Sequence, residues 1–202
     1  AWWDFSDIST LFTDSGGKTP VTANNDVIGK VADKSGLGNH VTQGTTGNKP
    51  TYKTGIQNSL SSALWDNTDD YLTNTSFSLA QPFTIFLIQQ HGAGLPDYHY
   101  STSENSNIRV QTLSSEPYAI RSDFGAALTG TISVASGTKL LEWYVNGSSS
   151  NTLVNTSPDL TNANLGTDGF NGINIGIDYD ESNRPHSGYF MEMLIYNSII
   201  TG

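Results

Sequence analysis

Two polar segments of the chain carry side-chain types that bind sugars. One runs from His91 to Tyr100 and the other from Asp178 to His186. Flat aromatic rings cover the apolar C–H face of a pyranose, and Asp and Asn side chains hydrogen-bond its hydroxyl groups. The candidate ligand-binding residues are His91, Asp97, Tyr98, His99, Tyr100, Tyr179, Arg184 and His186. We expect the tyrosine rings to stack on sugar; the alternative is that both segments are exposed loops with ordinary turn residues.

The histidines of these segments are also potential metal ligands. His91, His99 and His186 supply three imidazoles, but their spacing matches no zinc-ligand motif. The chain has no cysteine, which excludes disulfides, thiolate metal sites and cysteine nucleophiles. The sequence therefore predicts no zinc site.

The densest acidic cluster lies between two predicted strands. Asp66, Asp69 and Asp70 place three carboxylates within five residues. Such groups repel one another unless a cation or hydrogen bonds intervene. Two interpretations stay open: a cation site, or a solvated turn in which one Asp accepts backbone hydrogen bonds.

The acidic residues do not form the pair that glycoside hydrolysis requires. Hydrolases place two carboxylates about 5–10 Å apart, one of them with a raised pKa. Glu142 and Glu192 each stand alone on a predicted strand, and Asp178, Asp180 and Glu181 fall in a loop. We therefore predict no glycosidase activity.

A polysaccharide lyase would need a different set of residues. It abstracts a proton next to a uronic carboxylate with a Tyr/His pair, and an Arg, Asn or Gln neutralises that carboxylate. Tyr189 and Arg121 lie in segments faintly similar to lyase motifs, but the Gln-x-His element is not in the right order. An acidic chain is also a poor electrostatic match for an anionic polymer. We expect a non-catalytic protein and keep the lyase as an alternative.

The composition excludes two classes of partner. The chain has 202 residues, with 9 Lys and Arg against 19 Asp and Glu, a formal net charge of −10 and a pI near 4.5. No basic cluster offsets this charge, so we expect no nucleic-acid partner. The longest apolar runs, about six residues, are too short to span a bilayer, so we expect no membrane insertion.

Short apolar or alternating runs between turn signals recur along the whole chain. Ser, Thr and Asn make up 65 of the 202 residues, and 20 more are Gly, which is typical of turns and short loops. Phe83–Gln89 is apolar on both faces, which indicates a central strand covered on both sides. Leu140–Val145 ends in Asn146-Gly147, a two-residue hairpin signal. The other predicted strands are Trp2–Phe5, Val27–Ala32, Ala63–Trp65, Tyr71–Leu72, Ile108–Leu113, Tyr118–Arg121, Ile173–Ile177 and Tyr189–Tyr196.

About ten to fourteen strands at this spacing predict two packed antiparallel sheets. One short helix is predicted over Ile8–Phe12, with Asp7 as its N-cap. Trp65 and Trp143 lie in predicted strands and are expected in the core. Trp2 and Trp3 are adjacent, so on a strand one of them must face outward.

Several segments match the motifs of a known family, in order along the chain. Asp33–His40 (DKSGLGNH) is similar to a D-x-S-G-x-G-N-H turn, Asn48–Tyr52 to an N-x-P-x-Y step, and Leu64–Leu72 to an F-D-G-x-D-D-Y-L hairpin. The later matches are Phe83–Leu87, Trp143–Gly147 and Tyr189–Asn197. Together they resemble the concanavalin A-like lectin/glucanase superfamily, in particular the laminin-G-like jelly-roll domains of bacterial and phage surface proteins. The resemblance covers nearly the whole chain, so residues 1–202 are expected to form one lectin-like domain, excised or processed from a longer chain.

The resemblance implies a fold and an ion. The fold is all-β, a two-sheet antiparallel jelly-roll sandwich with loops at one edge that hold a glycan. The ion is a structural Ca²⁺, which takes oxygen ligands and for which Asp33, Asp69, Asp70 and Glu192 are the candidate carboxylates. The alternative for the first of these is a purely structural turn, in which Asp33 and Asn39 satisfy neighbouring backbone groups.

The resemblance also implies a function and a location. It is typical of a non-catalytic carbohydrate-binding or adhesion module, extracellular or on a virion surface, with a glycan or cell-surface polysaccharide as partner. A second hypothesis is a virion structural domain for capsid decoration or tail assembly, which contacts other virion subunits and binds no sugar. A polysaccharide lyase is the third.

Overall fold

A computed structural model describes residues 1–92, 97–103, 108–114, 118–181 and 184–200. Within these ranges the chain forms seventeen β-strands and three one-turn 3₁₀ helices, over Ile8–Thr10, Thr46–Asn48 and Gly147–Ser149. None of the described helices has the length and apolar character needed to cross a membrane.

The strands assemble into two sheets. Sheet A contains β1 (Trp2–Asp4), β5 (Thr51–Gln57), β6 (Leu60–Asp66), β8 (Phe83–His91), β13 (Thr138–Val145), β14 (Ser150–Val154), β15 (Ser157–Ala163) and β17 (Ser187–Tyr196). Sheet B contains β2 (Leu11–Phe12), β3 (Lys30–Val31), β4 (Val41–Thr42), β7 (Leu72–Leu79), β9 (Asp97–Ser101), β10 (Ile108–Thr112), β11 (Ala119–Phe124), β12 (Ala127–Ser133) and β16 (Phe170–Ile175).

Every described strand pair is antiparallel. Sheet A has the order β15-β14-β13-β8-β17-β6-β5, with β1 added on β17, and sheet B has the order β12-β11-β10-β9-β16-β7-β4-β3-β2. Sequence neighbours such as β8 and β9 lie in opposite sheets, as they do in a jelly roll. The predicted all-β, two-sheet sandwich is confirmed.

The core lies between the sheets and is rich in aromatic rings. Trp143 of sheet A meets Tyr100 of sheet B edge to face at 5.5 Å, and Phe83 meets Phe124 at 5.8 Å. The Trp143 indole N–H crosses the core and donates to Ser122 Oγ at 2.8 Å. Such contacts fix the two sheets relative to each other, because aromatic pairs and satisfied polar groups both disfavour sliding.

The predicted placement of the tryptophans is confirmed. Trp65 and Trp143 are buried. In β1, Trp3 is fully buried and donates its indole N–H to the Asn39 carbonyl at 2.7 Å, while Trp2 faces outward and is half-buried. Adjacent residues of a strand point to opposite faces, which is the reason for the difference.

The central strand β8 departs from its predicted environment. It lies between β13 and β17, as expected of a central strand, and its Phe83, Ile85 and Leu87 are fully buried. Phe86, on the other face, is half-buried, and it packs edge to face on the rings of Tyr144 and Tyr196. The prediction that both faces are covered is wrong for the outer face, where two neighbouring rings replace a second layer.

Two local predictions need adjustment. The helix predicted over Ile8–Phe12 is a single 3₁₀ turn, and the Asp7 carboxylate caps it by accepting from the Ser9 amide. β13 and β14 do form a hairpin, but Asn146 precedes a 3₁₀ turn over Gly147–Ser149, so the connection is longer than the predicted two residues. The β10–β11 hairpin is confirmed, while residues 115–117 of its predicted turn lie outside the described ranges.

Candidate functional site

A polar patch lies on the outer face of sheet B, around β9, β10 and β11. We define the outer-face patch as Tyr98, Arg109, Gln111, Arg121, Asp123, Asp178, Tyr179 and Arg184. In β11, Ile120 and Ser122 are buried, while Arg121 between them is partly exposed, which places it on the outer face. The strand register sets Arg109 beside Asp123 and Gln111 beside Arg121.

The patch is held by a network of hydrogen bonds and charges. Arg109 donates to Asp123 Oδ2 at 3.0 Å, with side chains 34% and 12% exposed respectively. Arg184 donates to Gln111 Oε1 at 3.1 Å. The Tyr98 hydroxyl lies close enough to Arg109 and Asp178 to interact with both of them. These contacts restrict the side chains of Arg109 and Arg184.

Burial shifts the ionisation of the patch. The pKa of Asp178 is raised above its ordinary value, by burial first and then by the charge of Asp180. Burial also raises the pKa of Tyr98, and the negative charge of Asp178 adds to this. For Arg109, burial acts to lower the pKa, but the hydrogen bond to Asp123 and the nearby negative groups outweigh it. The guanidinium therefore stays charged beside partly desolvated acceptors.

All three arginines of the chain, Arg109, Arg121 and Arg184, belong to this patch. The chain as a whole carries a net charge of −10, so this face differs from the rest of the molecule. Arg184 was predicted as a binding residue, but its grouping with Arg109 and Arg121 was not, because the three residues are up to 75 positions apart and come together through the β10–β11 register and the residues just before β17.

The predicted ligand-binding residues divide into two groups. The exposed Arg184 contacts Gln111 and Tyr98 of the outer-face patch, and Tyr179, 37% exposed, directly follows Asp178 and donates its amide to the Asp178 carboxylate. Tyr98 also lies there but is only 3% exposed, and Tyr100 is fully buried against Trp143 and Phe170. The prediction that the rings of Tyr98 and Tyr100 stack on a sugar is therefore wrong, because neither ring offers an open face.

The remaining four predicted residues form a buried cluster between the sheets. His91, Asp97, His99 and His186 are buried, and Asp97 Oδ2 accepts from the Ser187 amide at 3.0 Å. Burial lowers the pKa of His91, and it lowers the pKa of His99 to about 3, so both rings are neutral. Burial acts to raise the pKa of Asp97, but the neighbouring histidines, His186 first, outweigh it and lower the pKa to about 2. These groups are not accessible to a polysaccharide.

The loop connections of both predicted segments are only partly described. Residues 93–96 of the first and residues 182 and 183 of the second lie outside the described ranges.

The four predicted calcium ligands lie in at least two places. Asp69 and Asp70 lie with Asp66, their carboxylate oxygens within 4.8 Å of one another. Asp33 and Glu192 belong to no such group among the described residues, and both contact Trp2 instead: Asp33 through the backbone amide and Glu192 through the indole N–H.

The Asp33 turn has a structural explanation. Its two carboxylate oxygens accept four hydrogen bonds, from the amides of Trp2, Ser35 and Asn39 and from the Ser35 hydroxyl. Gly36 and Gly38 both have a positive φ, which their lack of a Cβ permits. The structure favours the turn over a cation site at Asp33, and calcium binding by Asp69 and Asp70 stays a prediction.

An apolar cleft of about 510 Å³ lies at another edge of the sandwich. Trp2, Leu37, Phe77 and Tyr196 line it, and Tyr196 is 41% exposed. It contains none of the residues predicted to bind a ligand. It is a concave surface distinct from the outer-face patch.

The residues of the lyase alternative do not share a surface. Tyr189 is partly exposed in β17 of sheet A, and its neighbour Phe190 points into the core. Arg121 is on the outer face of sheet B. The two side chains point away from opposite sides of the sandwich, so they cannot act on one uronate.

No protein-family model matches the chain, and no curated protein sequence matches it. Solved structures do. Domain 4 of AbnA, a GH43 extracellular arabinanase from Geobacillus stearothermophilus in complex with arabinotriose, is 13% identical and matches with a TM-score of 0.63 over 100% of this chain and 93% of that chain.

Two further matches are domains of larger proteins. A GH54 α-L-arabinofuranosidase soaked with 4-nitrophenyl α-L-arabinofuranoside is 15% identical, with a TM-score of 0.57 over 87% of this chain and 48% of that chain. Trypanosoma rangeli sialidase in complex with the inhibitor DANA is 7% identical, with a TM-score of 0.52 over 98% of this chain and 34% of that chain. At these identities the likeness establishes the β-sandwich fold, which this chain shares with domains of carbohydrate-active proteins.

Proposed function

We propose that this chain is a non-catalytic carbohydrate-binding module that holds a glycan on the outer-face patch of sheet B. The observation that carries the proposal is the gathering of all three arginines beside Asp123, Asp178 and Tyr179 on one face of an acidic protein. Sugar hydroxyls both donate and accept, so a surface with ordered donors and acceptors side by side suits them.

Each part of the patch has a role in this proposal. The guanidinium forks of Arg109 and Arg184 donate to neighbouring hydroxyls, while Asp178 accepts. The ring of Tyr179 covers an apolar sugar face. Because Asp123 and Asp178 are mostly shielded from water, hydrogen bonds formed there compete less with solvent than they would on an open surface.

The fold comparison supports the same class of ligand. The arabinanase domain matches over almost its whole length, and its structure holds arabinotriose. An arabinan or another pentose-containing polysaccharide is therefore the first ligand to test. A bacterial or phage surface is the proposed setting, on the resemblance of the sequence motifs.

The test is affinity electrophoresis of the purified chain through gels containing arabinan, xylan, a neutral glucan or alginate. Tyr179→Ala removes the exposed ring of the patch, and Arg109→Ala removes its central donor. Tyr196→Ala is the matched control, since this tyrosine is equally exposed but lines the apolar cleft. Circular dichroism checks that each variant is folded.

We expect retardation in at least one gel, a loss of about 10-fold or more in affinity for Tyr179→Ala and Arg109→Ala, and no change for Tyr196→Ala. The proposal fails if no polysaccharide retards the wild-type chain. It fails as well if Tyr196→Ala, rather than Tyr179→Ala, abolishes retardation, which would move the site to the cleft.

A further inference from the structure

Three of the four histidines of the chain meet Asp97 at one end of the sandwich. His91 ends β8, Asp97 and His99 lie in β9, and His186 directly precedes β17. All four residues are more than nine-tenths buried. The proposed glycan site uses none of them, and a buried polar cluster of this size is costly unless its members are paired.

Two of the histidines are tethered to the protein through one ring nitrogen. His91 Nδ1 lies 3.2 Å from the Ser187 carbonyl oxygen, and His99 Nε2 lies 2.7 Å from Thr112 Oγ1. A carbonyl oxygen only accepts hydrogen bonds, so in the neutral ring the Nδ1 of His91 carries the proton and the Nε2 presents a lone pair. Histidines that bind metals are held in this way, with the second ring N–H donated to a protein oxygen.

The atoms left over have no hydrogen-bond partner among the described residues. They are His91 Nε2, His99 Nδ1, both ring nitrogens of His186, and Asp97 Oδ1. His91 Nε2 lies 3.4 Å from Asp97 Oδ1, so two acceptors face each other out of contact with water. His186 Nδ1 lies 2.8 Å from Asp97 Oδ2 but is not aligned to donate to it. Facing acceptors of this kind need a proton or a cation between them, and one cation can serve several of them at once.

The distances and atom types suit a transition metal. Asp97, His99 and His186 each offer one ligand atom, and these atoms lie within 4.8 Å of one another. Tetrahedral zinc, with bonds of 2.0–2.2 Å, places its ligand atoms roughly 3.3 Å apart. Small side-chain rotations would therefore bring these three atoms to bonding distance from one ion. Imidazole nitrogens favour Zn²⁺ over Ca²⁺, which takes oxygen ligands. Phe190, stacked on His186 at 4.2 Å, keeps water away from the ring.

We propose that Asp97, His99 and His186, with His91 as the fourth ligand, bind one structural Zn²⁺ ion. The ion would join β8 and β17 of sheet A to β9 of sheet B and fix His186, two residues after Arg184 of the outer-face patch. The spacing in the sequence carries no sign of this site, because the ligands come from three separate strands or strand ends.

The experiment uses the whole chain with any affinity tag removed. The protein is unfolded with a chelator, refolded without metal, and titrated with Zn²⁺ in competition with a chromophoric chelator. Co²⁺ replaces zinc in a parallel titration, because its visible absorption reports the geometry and the nitrogen ligands. His99→Gln removes one ligand, Thr112→Val removes only the tether of His99, and His40→Gln is the matched control at the remaining histidine.

We expect one equivalent of Zn²⁺, an intense tetrahedral Co²⁺ spectrum, and a higher Tm with zinc than without. Thr112→Val should bind about 10- to 100-fold more weakly and His99→Gln more weakly still, with His40→Gln unchanged. Absence of stoichiometric binding by the wild-type chain would overturn the proposal, and so would full binding by His99→Gln. If His99→Gln does not fold, the Co²⁺ spectrum of the wild type and the affinity of Thr112→Val decide the question.

Discussion

At the scale of single residues, the structure separates the polar side chains that are buried in the fold from those that lie on the outer-face patch. Burial of Trp65 and Trp143 could be predicted, because a large aromatic ring in an apolar strand is most stable in the hydrophobic core. Burial of Tyr100 and His99 could not, because β9 is polar in sequence, and a register shift opposite Val110 and Gln111 turns consecutive residues inward.

Asp70 gives a prediction about pH. Burial, and then the negative charges of Asp66 and Asp69, raise its pKa to about 7 from an ordinary value of 3.8. The folded state therefore holds this proton more tightly than the unfolded state, so the contribution to stability is full below about pH 4 and is lost as the pH rises through 7. Asp70→Asn removes the charge and keeps an oxygen to accept from the Asp66 amide.

We therefore expect Asp70→Asn to unfold at a higher temperature than the wild type at pH 8, and at about the same temperature at pH 4. Thermal unfolding between pH 4 and 8, with a chelator present, measures this difference. Asp69→Asn, at the less buried neighbour, is the control and should change the Tm less. A variant less stable than the wild type at pH 8 would show that the ionised Asp70 stabilises the fold.

At the scale of elements, sequence patterns located most strands but not the segments between them. Phe83–Gln89 and Tyr189–Tyr196 lie within β8 and β17, as predicted. Long apolar runs predict buried strands more reliably than short ones do. Val27–Ala32 yields only Lys30–Val31 as strand, because the surrounding residues form isolated bridges and loop contacts instead. The outer-face patch depends on register and on such connections, which is why Tyr98, Tyr179 and Arg184 were predicted to bind a ligand but their partners Arg109, Gln111 and Asp123 were not.

Gly176, just after β16, is a position where a connection sets the packing. Its φ is +94°, and a Cβ at this position would lie 2.1 Å from the indole nitrogen of Trp65. Its amide donates to the His99 carbonyl, and its carbonyl accepts from the His186 amide, so the backbone cannot move away freely.

We expect Gly176→Ala to lower the free energy of unfolding by about 1–3 kcal/mol more than a Gly→Ala substitution that strains only the backbone and causes no steric clash. Gly36→Ala is the matched control: its φ is +81°, and nothing lies within 4 Å of the added carbon. Chemical denaturation of the two variants measures the difference. Equal losses of stability in the two variants would mean that the Trp65 side chain moves aside without a measurable free-energy cost.

At the scale of the whole molecule, the sandwich gathers the three arginines of the chain on one outer face. The two-sheet fold followed from many short strands, frequent turns and a large share of aromatic residues, all of which are properties of the whole chain. The sequence did not predict which face would bind a ligand. The arginines of the patch are distant from one another in the sequence, and none of them belongs to a recognisable binding motif. Fold alone does not define function, so the surface chemistry has to be tested directly.

The most direct test of the proposed glycan site is a heteronuclear NMR titration of the labelled chain with the oligosaccharide of the retained polysaccharide, starting with arabinotriose if arabinan is retained. We predict that the largest shifts fall on the Arg109 and Arg184 side chains and on the amides around Asp178 and Tyr179. Shifts confined to the cleft around Trp2 and Tyr196, or no saturable shifts at all, would contradict the account.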